Sequence, residues 1–141
     1  MIIEKKYKPS GQLVGNMGLY YVCYELSKRG WNVLPTSRNA RGVDVVIYSK
    51  DAKRTHTIQI KALSKRNPVP FGSNIENLIA EYLIICRKVL DDKPEVFLTK
   101  INDIKVHIHE SGKGDKISYW LEPKDYEYFK DNWGIIGNGY D

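Results

Sequence analysis

Arg41-Gly42-Val43-Asp44-Val45-Val46-Ile47-Tyr48, then a polar connection, then Thr57-Ile58-Gln59-Ile60-Lys61 is the stretch that decides how this chain folds. Val43, Val45 and Ile47 alternate with Asp44, Val46 and Tyr48, and Ile58 and Ile60 alternate with Gln59 and Lys61. A period of two marks strands with unlike faces. Only Ser49-Lys50-Asp51-Ala52-Lys53-Arg54 lies between the runs 43–48 and 55–62, so they are expected to fold back as an antiparallel hairpin. Gln59 follows Asp44 by fifteen positions. With the turn centred near 51–53, a simple register sets Asp44 almost opposite Ile60, within reach of Gln59 and Lys61. Gln59 and Lys61 stand two apart and share a face.

An acid, an amide oxygen and an ammonium at one sheet edge are the minimum set for metal-assisted attack on a phosphodiester. Asp44 is a hard oxygen ligand suited to Mg²⁺ (or Mn²⁺), the side-chain carbonyl of Gln59 is a second and uncharged one, and the backbone carbonyl of Ile60 is a third. Lys61 would stabilise charge on the phosphate or help orient and deprotonate the attacking water. The plainer alternatives are an Asp44 paired with Arg41 or Lys61 at a hairpin edge, and Gln59 and Lys61 as a solvated strand face.

Working outward, Leu19, Val22, Cys23 and Leu26 recur at helical spacing, predicting a helix over 15–28 that stops at Gly30. Residues 31–35 read as a first strand ended by Pro35. Residues 65–72, holding Pro68 and Pro70, read as a loop, and 74–80 as a short helix. Strands follow at 82–86 and 95–99. The span 101–109 fits either a short helix or a strand. A small strand at 117–121 precedes a helix over 123–132 with Pro123 in its first turn. The expectation is an α/β fold with a mixed central sheet flanked by helices: an arm at 1–10, then one domain over 11–141.

With 141 residues the chain can build one real core. Lys plus Arg number 22 against 17 Asp plus Glu, a net +5 that favours a polyanionic partner without demanding one. Cys23 and Cys86 sit in apolar runs and read as small hydrophobes; zinc spacing, a signal peptide and a membrane-length apolar run are all missing from the sequence. The default expectation is a reducing cytoplasm and no membrane. His107 and His109 alternate without a third ligand beside them, and Gly134, Gly137 and Gly139 precede no Lys-Ser/Thr pair, so neither group reads as a site.

Gly42-Val43-Asp44 followed by Thr57-Ile58-Gln59-Ile60-Lys61 resembles the PD-(D/E)XK nuclease superfamily, which includes restriction endonucleases and archaeal-type Holliday junction resolvases. Gly15-Asn16-Met17-Gly18 opening a helix, and the tail Tyr119-Trp120-Leu121 with Tyr128-Phe129-Lys130-Asp131-Asn132-Trp133, extend the likeness over most of 11–134. The resemblance implies an α-β-β-β-α-β core of restriction endonuclease-like type and a metal-dependent DNA endonuclease working as a homodimer. It makes Asp44, Gln59 and Lys61 the catalytic set, with Asp44, Gln59 and Ile60 on the metal. Two departures stand out. Gln59 replaces the usual acid, and Gly18-Leu19-Tyr20 stands where resolvase-like members carry an early-helix glutamate. Glu25 is the helix's only acid and the candidate outer-shell carboxylate, or else a partner for Lys28 or Arg29.

Arg38, Asn39 and Arg41 precede Asp44, and Lys65 and Arg66 follow Lys61. In an antiparallel hairpin both groups leave the same edge and are candidates to flank a phosphate backbone. The competing readings are a nuclease-like fold kept as a DNA-binding or protein-interaction module, and an RNA-processing variant.

Overall fold

The computed structural model describes residues 7–37 and 41–141. In chain order its principal elements are α1 (Gly11–Lys28), β1 (Asn32–Pro35), β2 (Val45–Tyr48), β3 (Thr55–Leu63), β4 (Val69–Gly72), β5 (Tyr82–Arg87), β6 (Glu95–Lys100), α2 (Ile101–Ile104), β7 (His109–Ser111), β8 (Ser118–Leu121) and α3 (Pro123–Tyr126). Five strands make one sheet in the order β1-β2-β3-β5-β6. The β3–β5 pair is parallel and the other pairs antiparallel. The expected hairpin is β2–β3, and the central sheet is mixed and flanked by helices.

α1 begins where Ser10 caps it, its Oγ accepting the Leu13 N–H at 3.2 Å. That polar cap, rather than the apolar spacing, decides the start, so the helix opens before residue 15. Val22 and Leu26 bury completely on one face of the sheet with Val45, Ile47, Ile58 and Ile84. The other face carries Leu83, Ile85 and Phe97 against Ile101, Ile104, Leu121 and Tyr126. All six residues of β5 are buried, which is why its first five, Tyr82 to Cys86, read as an unbroken apolar run.

The span 65–72 is not all loop. Val69–Gly72 pairs with β8, and β8 with β7, in a second sheet of order β4-β8-β7. Pro70 is tolerated because β4 is an edge strand, and the complete burial of Val69 opposite Leu121 outweighs the local proline signal. The helix expected at 74–80 is a single 3-10 turn, Ile75–Asn77, with Asn74 Oδ1 accepting the Glu76 N–H. The crossover from β3 to β5 therefore runs through β4 and this turn rather than through a full helix. α3 starts at Pro123 as expected but continues only as a 3-10 turn to Phe129. Lys130 then bridges to Phe97 and the Asp131 N–H donates to Val96 O at 2.8 Å, drawing the chain out of helix onto β6.

The glycine-rich tail is a strap. Trp31 Nε1 donates to Gly137 O at 3.1 Å, the Gly139 N–H to Arg29 O at 2.9 Å, and the Lys50 N–H to Gly139 O at 2.7 Å. Arg87 is a buried charge on β5. It donates to Glu95 at 2.9 Å and Glu127 at 2.6 Å and lies over the Phe97 ring, tying the segment after α3 to the sheet. Among the described residues no helix is long and apolar enough to cross a membrane.

Candidate active site

A β-bulge positions Asp44. Val45 faces Ile58 in the ladder, yet the Asp44 N–H also donates to Ile58 O, at 2.9 Å, so two residues of one strand oppose one of the next. The extra residue breaks the alternation. Val45 and Ile47 pack under α1, while Val43 packs against the opposite core. Val43 thus departs from the face expected of it, and Asp44 sits at the break. Beyond the bulge the Ile60 N–H donates to Asp44 Oδ2 at 2.7 Å. The N–H and C=O of a strand residue leave on the same side, so the Ile60 carbonyl points into the same fork between β2 and β3.

Asp44 opens into a cavity of about 280 Å³. α1 contributes Gly15 and Leu19, the segment after β1 contributes Thr36 and Ser37, and β3 contributes Ile60 and Ala62. Thr36 locks the bulge: its Oγ1 donates to Val43 O at 2.6 Å and its N–H to Asp44 O at 2.9 Å. Gly42 holds a positive φ of 70°, and a Cβ there would meet Asn77 O at 2.2 Å. Only glycine allows that approach, which sets the turn before Asp44 against the 3-10 turn of the crossover.

Gln59 and Lys61 are not among the cavity walls. They leave β3 on the face of Leu63, across the strand from Ile60 and Ala62, because the strand keeps its period of two where β2 does not. Lys61 Nζ lies 5.3 Å from the centroid of the Phe71 ring, which β4 brings over it. Burial pushes the Lys61 pKa below the ordinary lysine value, and the nearby Asp44 charge pulls it partly back. Gln59 Oε1 is buried and accepts no hydrogen bond. A buried acceptor without a donor is costly unless something electropositive meets it. Asp44 and the Ile60 carbonyl offer the cavity only oxygen donors, of the kind that suits Mg²⁺ or Mn²⁺ rather than a thiophilic metal, while Gln59 Oε1 stands on the other face of β3. Among the described residues no three His, Cys, Asp or Glu side chains gather as a metal cluster.

Glu25 is elsewhere. Gly15 lines the cavity, and Glu25 lies ten residues further along α1, about 15 Å along its axis. It pairs with Lys28 at 3.0 Å and Arg29 at 3.7 Å. Arg38 and Asn39 lie outside the described residues. Arg41 donates to Asn77 Oδ1. Arg66 is held by both oxygens of Glu127, at 2.8 and 2.9 Å, and Lys65 is exposed. His109 bonds to Asp125 at 2.8 Å and stacks on Trp120, while His107 sits on an exposed turn, so the two histidines share no site. The residues that sequence reasoning missed are Gly15, Thr36, Ser37 and Phe71. They reach the site through the bulge, the helix packing and the second sheet, none of which leaves a periodic signal.

The chain matches no protein-family model and no curated protein. It is similar in structure to the Holliday junction resolvase Hjc of the archaeal hyperthermophile Archaeoglobus fulgidus, with a TM-score of 0.56 and 14% identity over 84% of this chain and 99% of that one. It is also similar to a bacterial homing endonuclease, with a TM-score of 0.60 and 15% identity over 92% of each chain. Both are nuclease folds of the restriction endonuclease-like superfamily, and the mixed α/β architecture of this protein is of that type.

Proposed function

We propose that the protein is a metal-dependent endonuclease hydrolysing phosphodiester bonds in DNA. The observation that carries this reading is the bulged fork. Asp44 Oδ2 accepts the Ile60 N–H on the side where the Ile60 carbonyl also leaves, Gln59 Oε1 is buried without a donor on the preceding residue, and Lys61 lies within the field of Asp44. The resolvase and the homing endonuclease, whose names describe DNA-cleaving enzymes, share the fold and support the substrate class.

In this reading Asp44, Gln59 Oε1 and Ile60 O would hold Mg²⁺ or Mn²⁺. A divalent cation supplies a more acidic water and offsets charge on the phosphate. Lys61 directs its ammonium at a non-bridging phosphate oxygen, and Phe71 limits where that ammonium can go. Thr36 keeps Asp44 from swinging out of the fork. Lys65 is available to the phosphate backbone, whereas Arg41 and Arg66 must first exchange Asn77 and Glu127 for it. Cutting both strands takes two such sites, which a homodimer supplies.

A second reading is a DNA-binding module without catalysis. It is favoured by the cavity wall that α1 presents, Gly15 and Leu19, which carries no acid. Plasmid nicking in Mg²⁺ or Mn²⁺ separates the two. Cleavage by the wild type that is lost in Asp44→Ala and Lys61→Ala supports the nuclease. Equal cleavage by all three, or none by the wild type with duplex binding intact, sinks the catalytic assignment. A matched RNA duplex in the same assay tests the polynucleotide preference.

A further inference from the structure

We propose that a second surface, between the turn that precedes β7 and the turn that follows α3, binds an unpaired stretch of polynucleotide, with the Tyr128 ring as a stacking platform for a base and Lys124 as the cation on its backbone. The groove itself does not depend on the nuclease reading; the choice of DNA over RNA rests on it.

The way α3 ends builds the platform. Pro123–Tyr126 is helical, but Glu127–Phe129 tightens to a 3-10 turn before Lys130 bridges to Phe97. Neighbouring rings then part. Phe129 packs against the core beneath, whereas Tyr128 is 90% exposed, the highest value among the described large hydrophobic side chains. The two rings stay in contact edge to face, with centroids 5.6 Å apart. Tyrosine offers a large contact surface at the cost of ordering only two side-chain torsions. Tyr128, Phe129, Lys124 and His107, the last from the exposed turn before β7, line a cavity of about 450 Å³. Lys124 also lines an adjoining cavity of about 450 Å³ together with Arg66.

The charge left uncompensated on this surface is positive. Asp125 is engaged by His109 at 2.8 Å and by the Glu122 N–H at 2.9 Å, and Glu122 by the Trp120 indole at 2.8 Å. Glu127 is held by Arg66 and Arg87. Lys124 and Lys105 are exposed and, among the described residues, stand in no ion pair. Exposed rings set among uncompensated cations suit a single strand, whose phosphates meet the cations and whose bases each present a face to a ring. A duplex keeps its bases stacked inside and has no free face for Tyr128. An apolar protein partner would cover Lys124 without a counter-charge, a cost that a polyanion removes. Arg66 stands five residues after Lys61, so their Cα atoms are at most about 18 Å apart. An unpaired arm lying in the groove is therefore within a few nucleotides of the candidate active site.

The test reads binding in EDTA, where metal-dependent cleavage does not intervene. Fluorescein-labelled oligothymidylate, oligouridylate of the same length and a blunt duplex are titrated with the full chain, and anisotropy is followed at several salt concentrations. Tyr128→Ala is expected to bind oligothymidylate about tenfold or more weakly than the wild type. Tyr128→Phe, which keeps the ring, should restore wild-type affinity. Lys124→Ala should lower the salt slope by about 0.7. Lys53→Ala, at an exposed lysine of the β2–β3 turn, should leave single-strand affinity unchanged. Equal single-strand affinity of the wild type and Tyr128→Ala, or a wild type that binds only the duplex, overturns the proposal. Tighter binding of oligouridylate, still lost in Tyr128→Ala, supports the groove and overturns its assignment to DNA. Self-association of the wild type that Tyr128→Ala abolishes, with no single-strand binding, gives the ring to a protein partner and overturns the proposal. The nuclease reading is decided separately, by nicking of plasmid by the wild type in Mg²⁺.

Discussion

Asp44 Oδ2 accepts the backbone N–H of Ile60 at 2.7 Å, so the acid that would meet the cation also closes the ladder that the bulge interrupts. Charge and hydrogen bond can be separated by substitution. Asp44→Asn keeps an acceptor for Ile60, and is expected to remain folded while losing cleavage by about 100-fold or more. Asp44→Ala leaves the Ile60 N–H without a partner and should in addition cost about 1–3 kcal/mol of stability. Urea melts beside nicking assays check this, and equal stability of the two variants would count against the dual role.

Lys61 carries a burial cost that the fold retains. Its folded pKa lies below the ordinary lysine value, so between the two values the unfolded chain binds more protons than the folded one. Stability should therefore rise as pH climbs through the folded pKa and level off above the unfolded one. Lys61→Met should remove that rise and be neutral or stabilising at pH 7, by up to about 4 kcal/mol, while abolishing cleavage. Chemical melts across the alkaline range read the sign directly.

Two glycines of α1 should respond in opposite directions. Gly18→Ala drives a methyl into Ala62 and must lift the helix from β3, at about 1–3 kcal/mol. Gly15→Ala meets nothing within 4 Å and should stabilise the helix by about 0.5–1 kcal/mol. Thermal melts of the pair test the packing of α1 over the site.

The ion network around Arg87 sets the acid limit. The Arg87 guanidinium, helped by Lys130 and Lys88, holds Glu95 down to about 2, and Arg66 followed by Arg87 holds Glu127 down to about 2. Both carboxylates are depressed in the folded state, so their contribution is present above the ordinary glutamate range and fades as pH falls from there towards about 2. Arg87→Met leaves Glu95 and Glu127 without their buried partner and should cost about 3 kcal/mol at pH 7. Its stability should also fall less steeply with acid than that of the wild type, as urea midpoints at pH 7 and pH 3 would show.

The period-two alternation in 43–48 and 55–62, the short polar turn between them and the helical spacing before them were enough to determine the hairpin, the buried face of β2 from Val45 onward and the helix packed on it. Those features arise from local geometry and the burial of apolar side chains, both written into neighbouring residues. The bulge at Asp44, the pairing of Val69–Gly72 with β8 and the shrinking of the crossover helix to one turn were decided by tertiary contacts instead. So were the fates of the charged candidates. Glu25 turned to Lys28 and Arg29, and Arg66 to Glu127, a partner 61 positions away. A hydrophobic residue declares its destination by its type. A charged residue goes to whichever opposite charge the finished fold brings near, and that partner is known only once distant segments have met.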